Sequence, residues 1–87
     1  MEDKLDVRQA LRVFQKITEY GERDGSAFTF NGITAQTDFD GYTVTLRNDY
    51  VSLHILFHSR YNLQYQNSKE LNRFLNCLHD IDRSSVH

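Results

Sequence analysis

The segment Tyr42–His58, with the sequence YTVTLRNDYVSLHILFH, alternates between apolar and polar residues on both sides of Asn48-Asp49. This period of two predicts a β-hairpin in which one face of both strands is buried. A turn at Asn48-Asp49 predicts pairs on the buried face, which are Leu46 with Val51, Val44 with Leu53, and Tyr42 with Ile55. On the other face of the hairpin, the same turn predicts that Arg47 pairs with Tyr50, Thr45 with Ser52, and Thr43 with His54. The segment therefore indicates an antiparallel sheet with one buried side.

A second hairpin is predicted around Asn31-Gly32, a dipeptide typical of the type I′ turn. The strands would be 27–30 and 33–37, with Glu22 to Ser26 as a polar connection before them. The predicted pairs are Phe30 with Ile33 and Phe28 with Ala35 on one face, and Thr29 with Thr34 on the other. Residues 61–65 alternate weakly, so a fifth strand is left open.

The two ends of the chain read as helices, because their apolar residues recur at intervals of three and four. The first helix should begin near Asp3 or Asp6 and end at a left-handed cap on Gly21. Its apolar stripe would be Val7, Ala10, Leu11, Phe14, Ile17 and Tyr20. The last helix should begin after Asn67 or Ser68 and run to about Asp82. Its stripe would be Leu71, Phe74, Leu75, Leu78 and Ile81.

These elements predict a single α+β domain over residues 1–87. The expected architecture is an antiparallel four- or five-stranded meander of two hairpins, flanked by an N-terminal and a C-terminal helix packed on the sheet (α-β-β-β-β-α). The opposite face of the sheet would then be uncovered.

Composition narrows the class of protein. The net charge of −2 and the pI of about 6.0 argue against duplex nucleic acid and anionic membranes as partners. No apolar run approaches the roughly 18 residues that a membrane span needs. The N-terminal Met1–Lys4 is polar, unlike a secretory signal. Cys77 is the single cysteine, which excludes an intramolecular disulfide and favours the cytoplasm.

The candidate chemical motifs have simpler interpretations. His54 and His58 would share a metal on a helix, but on a strand their Cα atoms lie roughly 13 Å apart. The segment Asp38–Gly41 resembles the start of a calcium loop without its other ligands, so a connector is expected. Cys77 is expected to be a buried, inert thiol in the last helix. We therefore predict no catalytic residue, no metal and no cofactor, and hence no enzyme.

The uncovered sheet face is the remaining candidate site. The predicted register places on it Thr43, Thr45, Arg47, Tyr50, Ser52, His54, Leu56 and His58. The residues predicted to bind a partner or ligand are Arg47, Tyr50, His54, Leu56, His58 and Arg60. The favoured function is a protein-interaction or self-associating module, such as a homodimer formed through this face or an edge strand. The alternative is a binder of a small ligand or single-stranded nucleic acid.

The run GITAQTDFDGYTV over residues 32–44, with Tyr20–Glu22 before it and Phe57-His58 after it, resembles a small family of uncharacterised gammaproteobacterial proteins. The resemblance covers nearly the whole chain. It implies a bacterial cytoplasmic protein containing a domain of unknown function. It assigns no functional residue.

Overall fold

The computed structural model of the protein describes residues 5–37, 43–56 and 60–83. Within these ranges the chain forms two helices and one antiparallel sheet, whose strands follow one another in chain order. The elements are α1 (Val7–Tyr20), β1 (Glu22–Asp24), β2 (Ala27–Phe30), β3 (Ile33–Thr37), β4 (Val44–Arg47), β5 (Val51–Ile55), β6 (Tyr61–Tyr65) and α2 (Ser68–Arg83). The α+β class and the meander are confirmed. The sheet has six strands, so the prediction of four or five was too low.

The two additional strands lie at the two edges of the sheet. β6 is the fifth strand that the sequence left open, and it pairs with β5. β1 occupies the segment predicted as a polar connection, and it pairs with β2 through Glu22–Thr29 and Asp24–Ala27. All three β1 residues are exposed. A strand that buries no side chain has no hydrophobic alternation, and so the sequence pattern could not reveal it.

The β2–β3 hairpin has the predicted turn and register. Asn31 and Gly32 have φ angles of 52° and 80°, as a type I′ turn requires. Phe30 pairs with Ile33, Thr29 with Thr34, and Phe28 with Ala35. The local turn chemistry was therefore sufficient to fix this hairpin.

The register predicted for the β4–β5 hairpin was wrong by two residues. The observed pairs are Arg47 with Ser52, Leu46 with Leu53, Thr45 with His54, and Val44 with Ile55. The turn residues are Asp49 and Tyr50, because Asn48 N–H donates to the Val51 carbonyl at 2.9 Å. The Asn48 Oδ1 accepts the N–H groups of Tyr50 and Val51, both at 2.8 Å. A shift of two residues leaves every side chain on its predicted face.

Asp6, one of the two predicted caps, is the N-cap of helix α1. The Asp6 Oδ1 accepts the backbone N–H of Arg8 at 2.9 Å. The buried side of the helix is Ala10, Val13 and Ile17. The predicted stripe omitted Val13 and was too broad, since Leu11 and Tyr20 are each 40% exposed.

Gly21 does not adopt the predicted left-handed cap. Its backbone is extended, with φ −78° and ψ 171°. The physical requirement is close approach instead. A Cβ atom at this position would lie 2.5 Å from the Ile17 carbonyl oxygen and 2.7 Å from that of Thr29. Glycine therefore lets the end of α1 lie directly against β2.

Helix α2 follows the sequence prediction closely. Asn67 caps it, with Oδ1 accepting the Glu70 N–H at 2.9 Å. The helix ends at Arg83, one residue beyond the predicted end. Its predicted stripe faces the core, with Phe74, Leu78 and Ile81 buried and Leu71 and Leu75 packed beside them.

Both helices lie on the same side of the sheet and pack against each other. α1 contacts β2, β3 and β4, while α2 contacts β5 and β6. The twelve buried apolar residues of the described chain form one cluster: Ala10, Val13, Ile17, Ile33, Ala35, Leu46, Val51, Leu53, Ile55, Phe74, Leu78 and Ile81. The opposite face carries no helix from the described residues.

Within the described residues, neither helix has the length and apolar character that crossing a membrane requires. The predicted connector Asp38–Gly41, the predicted position of Tyr42, and His58 lie outside the described residues.

Gly21→Ala is expected to destabilise the fold by about 2 kcal/mol or more, because the added methyl group meets two backbone carbonyls that cannot move independently. Urea denaturation measures this change. The control is Gly25→Asn, since Gly25 has φ +65° and open space around an added Cβ, and asparagine tolerates that conformation. Equal stability of Gly21→Ala and the wild type would contradict the close-approach argument.

Candidate functional site

The strand registers place the predicted site residues on the face opposite the helices. Ile33, Ala35 and Leu53 are buried on the helix side, so the residues between them face away. Two rows of paired residues cross this surface, which we call the open face. One row is Glu22, Thr29, Thr34, Arg47, Ser52 and Gln64. The other is Gln36, Thr45, His54 and Asn62.

Tyr50 and Leu56 extend the open face at the two ends of β5. The Gln66 N–H donates to the Tyr50 carbonyl at 3.2 Å, and the Leu56 N–H donates to the Arg60 carbonyl at 2.6 Å. These bonds continue the β5–β6 ladder by one pair at each end, in the same phase as His54. Tyr50 is 47% and Leu56 40% exposed. Arg60, opposite Leu56, is exposed as well.

Five of the six predicted site residues therefore share one surface. Arg47 and His54 lie in its rows, while Tyr50, Leu56 and Arg60 lie at the ends of β5 and β6. The predicted pair of Arg47 with Tyr50 is wrong, since Arg47 is opposite Ser52. Thr43, one residue before β4, is partly buried. The sixth predicted residue, His58, lies outside the described part of the chain.

The polar contacts on the open face are cross-strand hydrogen bonds. The Thr45 hydroxyl and His54 Nδ1 lie 3.1 Å apart, with the donor set by the imidazole tautomer. Arg47 Nη2 donates to Gln36 Oε1 at 3.5 Å, at the limit of a hydrogen bond. These contacts orient His54 and Arg47 across neighbouring strands. They resemble the pairs that stabilise a sheet surface, and no covalent chemistry follows from them.

Cys77 lies on the helix side, away from the open face. It is partly buried, and its Sγ donates to the Asn31 carbonyl at 3.5 Å. Burial raises the pKa of the Cys77 thiol, and the negative charge of Asp80 raises it further. A thiol with a raised pKa is protonated at neutral pH and is a poor nucleophile. Among the described residues, no group of three or more His, Cys, Asp or Glu side chains is placed to hold a metal ion.

A polar cluster between the two helices was not foreseen. Arg12 Nε donates to Asp82 Oδ1 at 2.8 Å and Arg12 Nη2 donates to Oδ2 at 3.0 Å. Gln9 Nε2 lies 3.3 Å from Asp82 Oδ2 and 3.2 Å from His79 Nδ1. Lys16 Nζ donates to the Asp82 carbonyl at 2.6 Å, at the C-terminal end of α2. The cluster ties α1 to the last turn of α2, which is a structural role.

The hydrogen bonds from Arg12 lower the pKa of Asp82 to about 2. Gln9 and the positive charges of Arg12 and Lys16 act in the same direction, while partial burial of the carboxylate opposes them. The Arg12 side chain is 56% exposed, so solvent screens the pair and weakens its contribution to the stability of the fold. Residues 70 apart in sequence form this pair, and only the packing of the two helices brings them together.

No curated protein and no solved structure matches the chain. One family model matches residues 5–86, and its description is "Protein of unknown function (DUF3081)".

Val51→Asp is expected to unfold the domain, because it would bury an unpaired carboxylate at a position that is 1% exposed. Ser52→Asp, one residue later, should leave the fold intact, since the new carboxylate would lie on the open face opposite Arg47. Far-UV circular dichroism with urea denaturation compares the two. The reverse outcome would show that the two faces are wrongly assigned.

Asp82→Asn is expected to lower the free energy of unfolding by about 1 kcal/mol at neutral pH. The folded-state pKa of Asp82 is about 2, below its ordinary value of 3.8, so the stabilisation is present above pH 3.8. It is lost as the pH falls towards 2. The difference between variant and wild type should therefore shrink over that range in urea titrations.

The control for this comparison is Asp80→Asn, an exposed position two residues earlier on α2, which should change stability by about 0.5 kcal/mol or less. A constant difference between Asp82→Asn and wild type from neutral to acidic pH would contradict the assigned ion pair.

Proposed function

We propose that this chain, which belongs to the DUF3081 family of unknown function, is a small non-enzymatic interaction module that self-associates. The family description assigns no activity, so the proposal is supported by the surfaces of this chain alone. The observation that carries it is the distribution of charge over the surfaces that the fold leaves uncovered.

The open face is poor in charge. Its charged side chains among the described residues are Glu22 and Asp24 at the β1 edge, Arg47 near the middle and Arg60 beside β6, and the other residues of its two paired rows are threonine, serine, asparagine, glutamine and His54. Tyr50 and Leu56 add exposed apolar area at its ends. Protein interfaces show this composition, since their centres are depleted in charged residues and enriched in tyrosine and arginine.

The two edge strands of the sheet, β1 and β6, differ in charge. β1 is three residues long and consists of Glu22, Arg23 and Asp24, which is the protection that natural edge strands use against pairing. β6 is five residues long and carries no charged side chain. Its outer backbone groups form an edge that another strand can extend. Association would remove from water a face that is poor in charge or an edge strand without charged side chains, while the charged helices stay solvated.

The alternative, a binder of a small ligand or single-stranded nucleic acid, finds no comparable support. Arg47 and Arg60 are the basic side chains of the open face among the described residues, and Glu22 and Asp24 lie on the same face. Such a surface offers little of the phosphate neutralisation on which affinity for nucleic acid depends. A cytoplasmic, bacterial setting, favoured by the single cysteine and implied by the family resemblance, completes the proposal.

The molar mass in solution tests the proposal. Light scattering on a sizing column, at two concentrations about a hundredfold apart, should give twice the 10.3 kDa of one chain at the higher concentration. Because the uncovered surfaces are poor in charge, added salt should not lower the mass. A mass of 10.3 kDa at both concentrations would refute self-association.

A further inference from the structure

We propose that two copies of the chain associate edge to edge through β6, antiparallel about Leu63. The six strands of each copy would then form one continuous sheet of twelve strands. This inference rests on the proposed self-association and specifies where and in which register it occurs.

The sequence of β6 is close to a palindrome. It reads Tyr61-Asn62-Leu63-Gln64-Tyr65, with aromatic residues at both ends, amides inside them and leucine in the centre. Antiparallel pairing about Leu63 sets Tyr61 opposite Tyr65 of the second copy, Asn62 opposite Gln64, and Leu63 opposite Leu63. Aromatic, amide and aliphatic pairs of this kind stabilise adjacent strands. A two-fold axis through Leu63 makes the contact self-complementary.

The backbone of β6 presents its hydrogen-bonding groups in the same phase. The bonds Leu56 N–H to Arg60 and Gln66 N–H to Tyr50 show that even-numbered β6 residues bond to β5. Hydrogen-bonded and non-bonded pairs alternate in an antiparallel ladder. The N–H and C=O groups of Tyr61, Leu63 and Tyr65 therefore point away from β5. A register centred on Leu63 joins these residues to one another, with two bonds for each pair and about six in all.

The side chains of this register match on both faces of the sheet. Leu63 is packed against the core on the helix side, and Tyr65, on the same side, is 49% exposed. Pairing would bring Tyr65 beside Tyr61 of the second copy and cover its ring. On the open face, Asn62 would meet Gln64 and the exposed Arg60 would meet Gln66, so no like charges approach.

The opposite edge does not allow the same contact. Antiparallel self-pairing of β1 about Arg23 would set Arg23 opposite Arg23 and Glu22 opposite Asp24. Like charges directly opposite destabilise a strand pair. β6 is therefore self-complementary and β1 self-repelling, which limits assembly to a closed dimer with two β1 edges outermost.

Charged residues introduced at the proposed β6–β6 contact test the register. In Asn62→Lys/Gln64→Lys, lysine lies opposite lysine at two places, and the dissociation constant should rise on the order of tenfold or more. The matched control, Asn62→Glu/Gln64→Lys, sets glutamate opposite lysine and should keep the dimer mass. Both substituted positions are exposed on the open face, so each variant is expected to fold, which urea denaturation verifies.

Amide hydrogen exchange of the wild-type chain gives a second readout that needs no variant. Protection of the Leu63 and Tyr65 amides should rise with protein concentration, because in this register they donate to the second copy and not to β5. The Asn62 and Gln64 amides, which bond to β5, should show no such dependence.

The outcomes separate this inference from the proposed function. A wild-type chain that is monomeric at all concentrations overturns both. A wild-type dimer that survives Asn62→Lys/Gln64→Lys, with exchange at Leu63 independent of concentration, overturns the β6 contact alone. Loss of the dimer in Tyr50→Ala and Leu56→Ala, but not in the lysine variant, would place the contact on the open face. Dissociation of both double variants would overturn the register about Leu63.

Discussion

The two-residue period of the sheet is the constraint on which the rest of the structure depends. Leu46 and Leu53 are completely buried because each lies on the helix side of a strand, and their neighbours Thr45 and His54 therefore face away. The helices cover the side where the apolar residues fall. The strand residues that do not face the helices form the open face, so the same division into two sides determines that surface as well.

The same constraint explains which parts of the fold could be predicted from the sequence. The predicted β4–β5 register was two residues off because the turn residues are Asp49 and Tyr50, not Asn48 and Asp49. The side chain of Asn48 closes this turn by accepting the N–H groups of Tyr50 and Val51. The error preserved the faces, and so the core and the open face were still correct. β1 could not be predicted, because its pairing is made by backbone groups and its three side chains are all exposed. The special role of Gly21 was predicted for the wrong reason, since the carbonyls that exclude a side chain come from Ile17, four residues before it, and Thr29, eight residues after it.

The candidate site shows the same division. Arg47, Tyr50, His54, Leu56 and Arg60 converge because the residue parity of neighbouring strands carries each of them to one face, which periodicity alone can establish. Periodicity does not specify which strands become the edges of the sheet. The contrast between β1 and β6 therefore became visible only with the strand order. The ion pair between Arg12 and Asp82 also depends on tertiary packing, because the sequence around neither residue indicates which residue it will contact.

The strand order places β6 at an edge of the sheet, and this position makes its lack of charged side chains significant. A chain of 87 residues buries a smaller fraction of its surface than a larger domain does, and here the helices cover one face of the sheet. An edge that is to remain in water needs a charge, a proline or a short length, and β1 has two of these three. β6 has none of them, and its side chains are ordered so that the strand matches its own reverse. An edge that is both unprotected and self-complementary fits a second copy of itself better than an unrelated strand, because both the backbone phase and the side-chain order are then satisfied in one register.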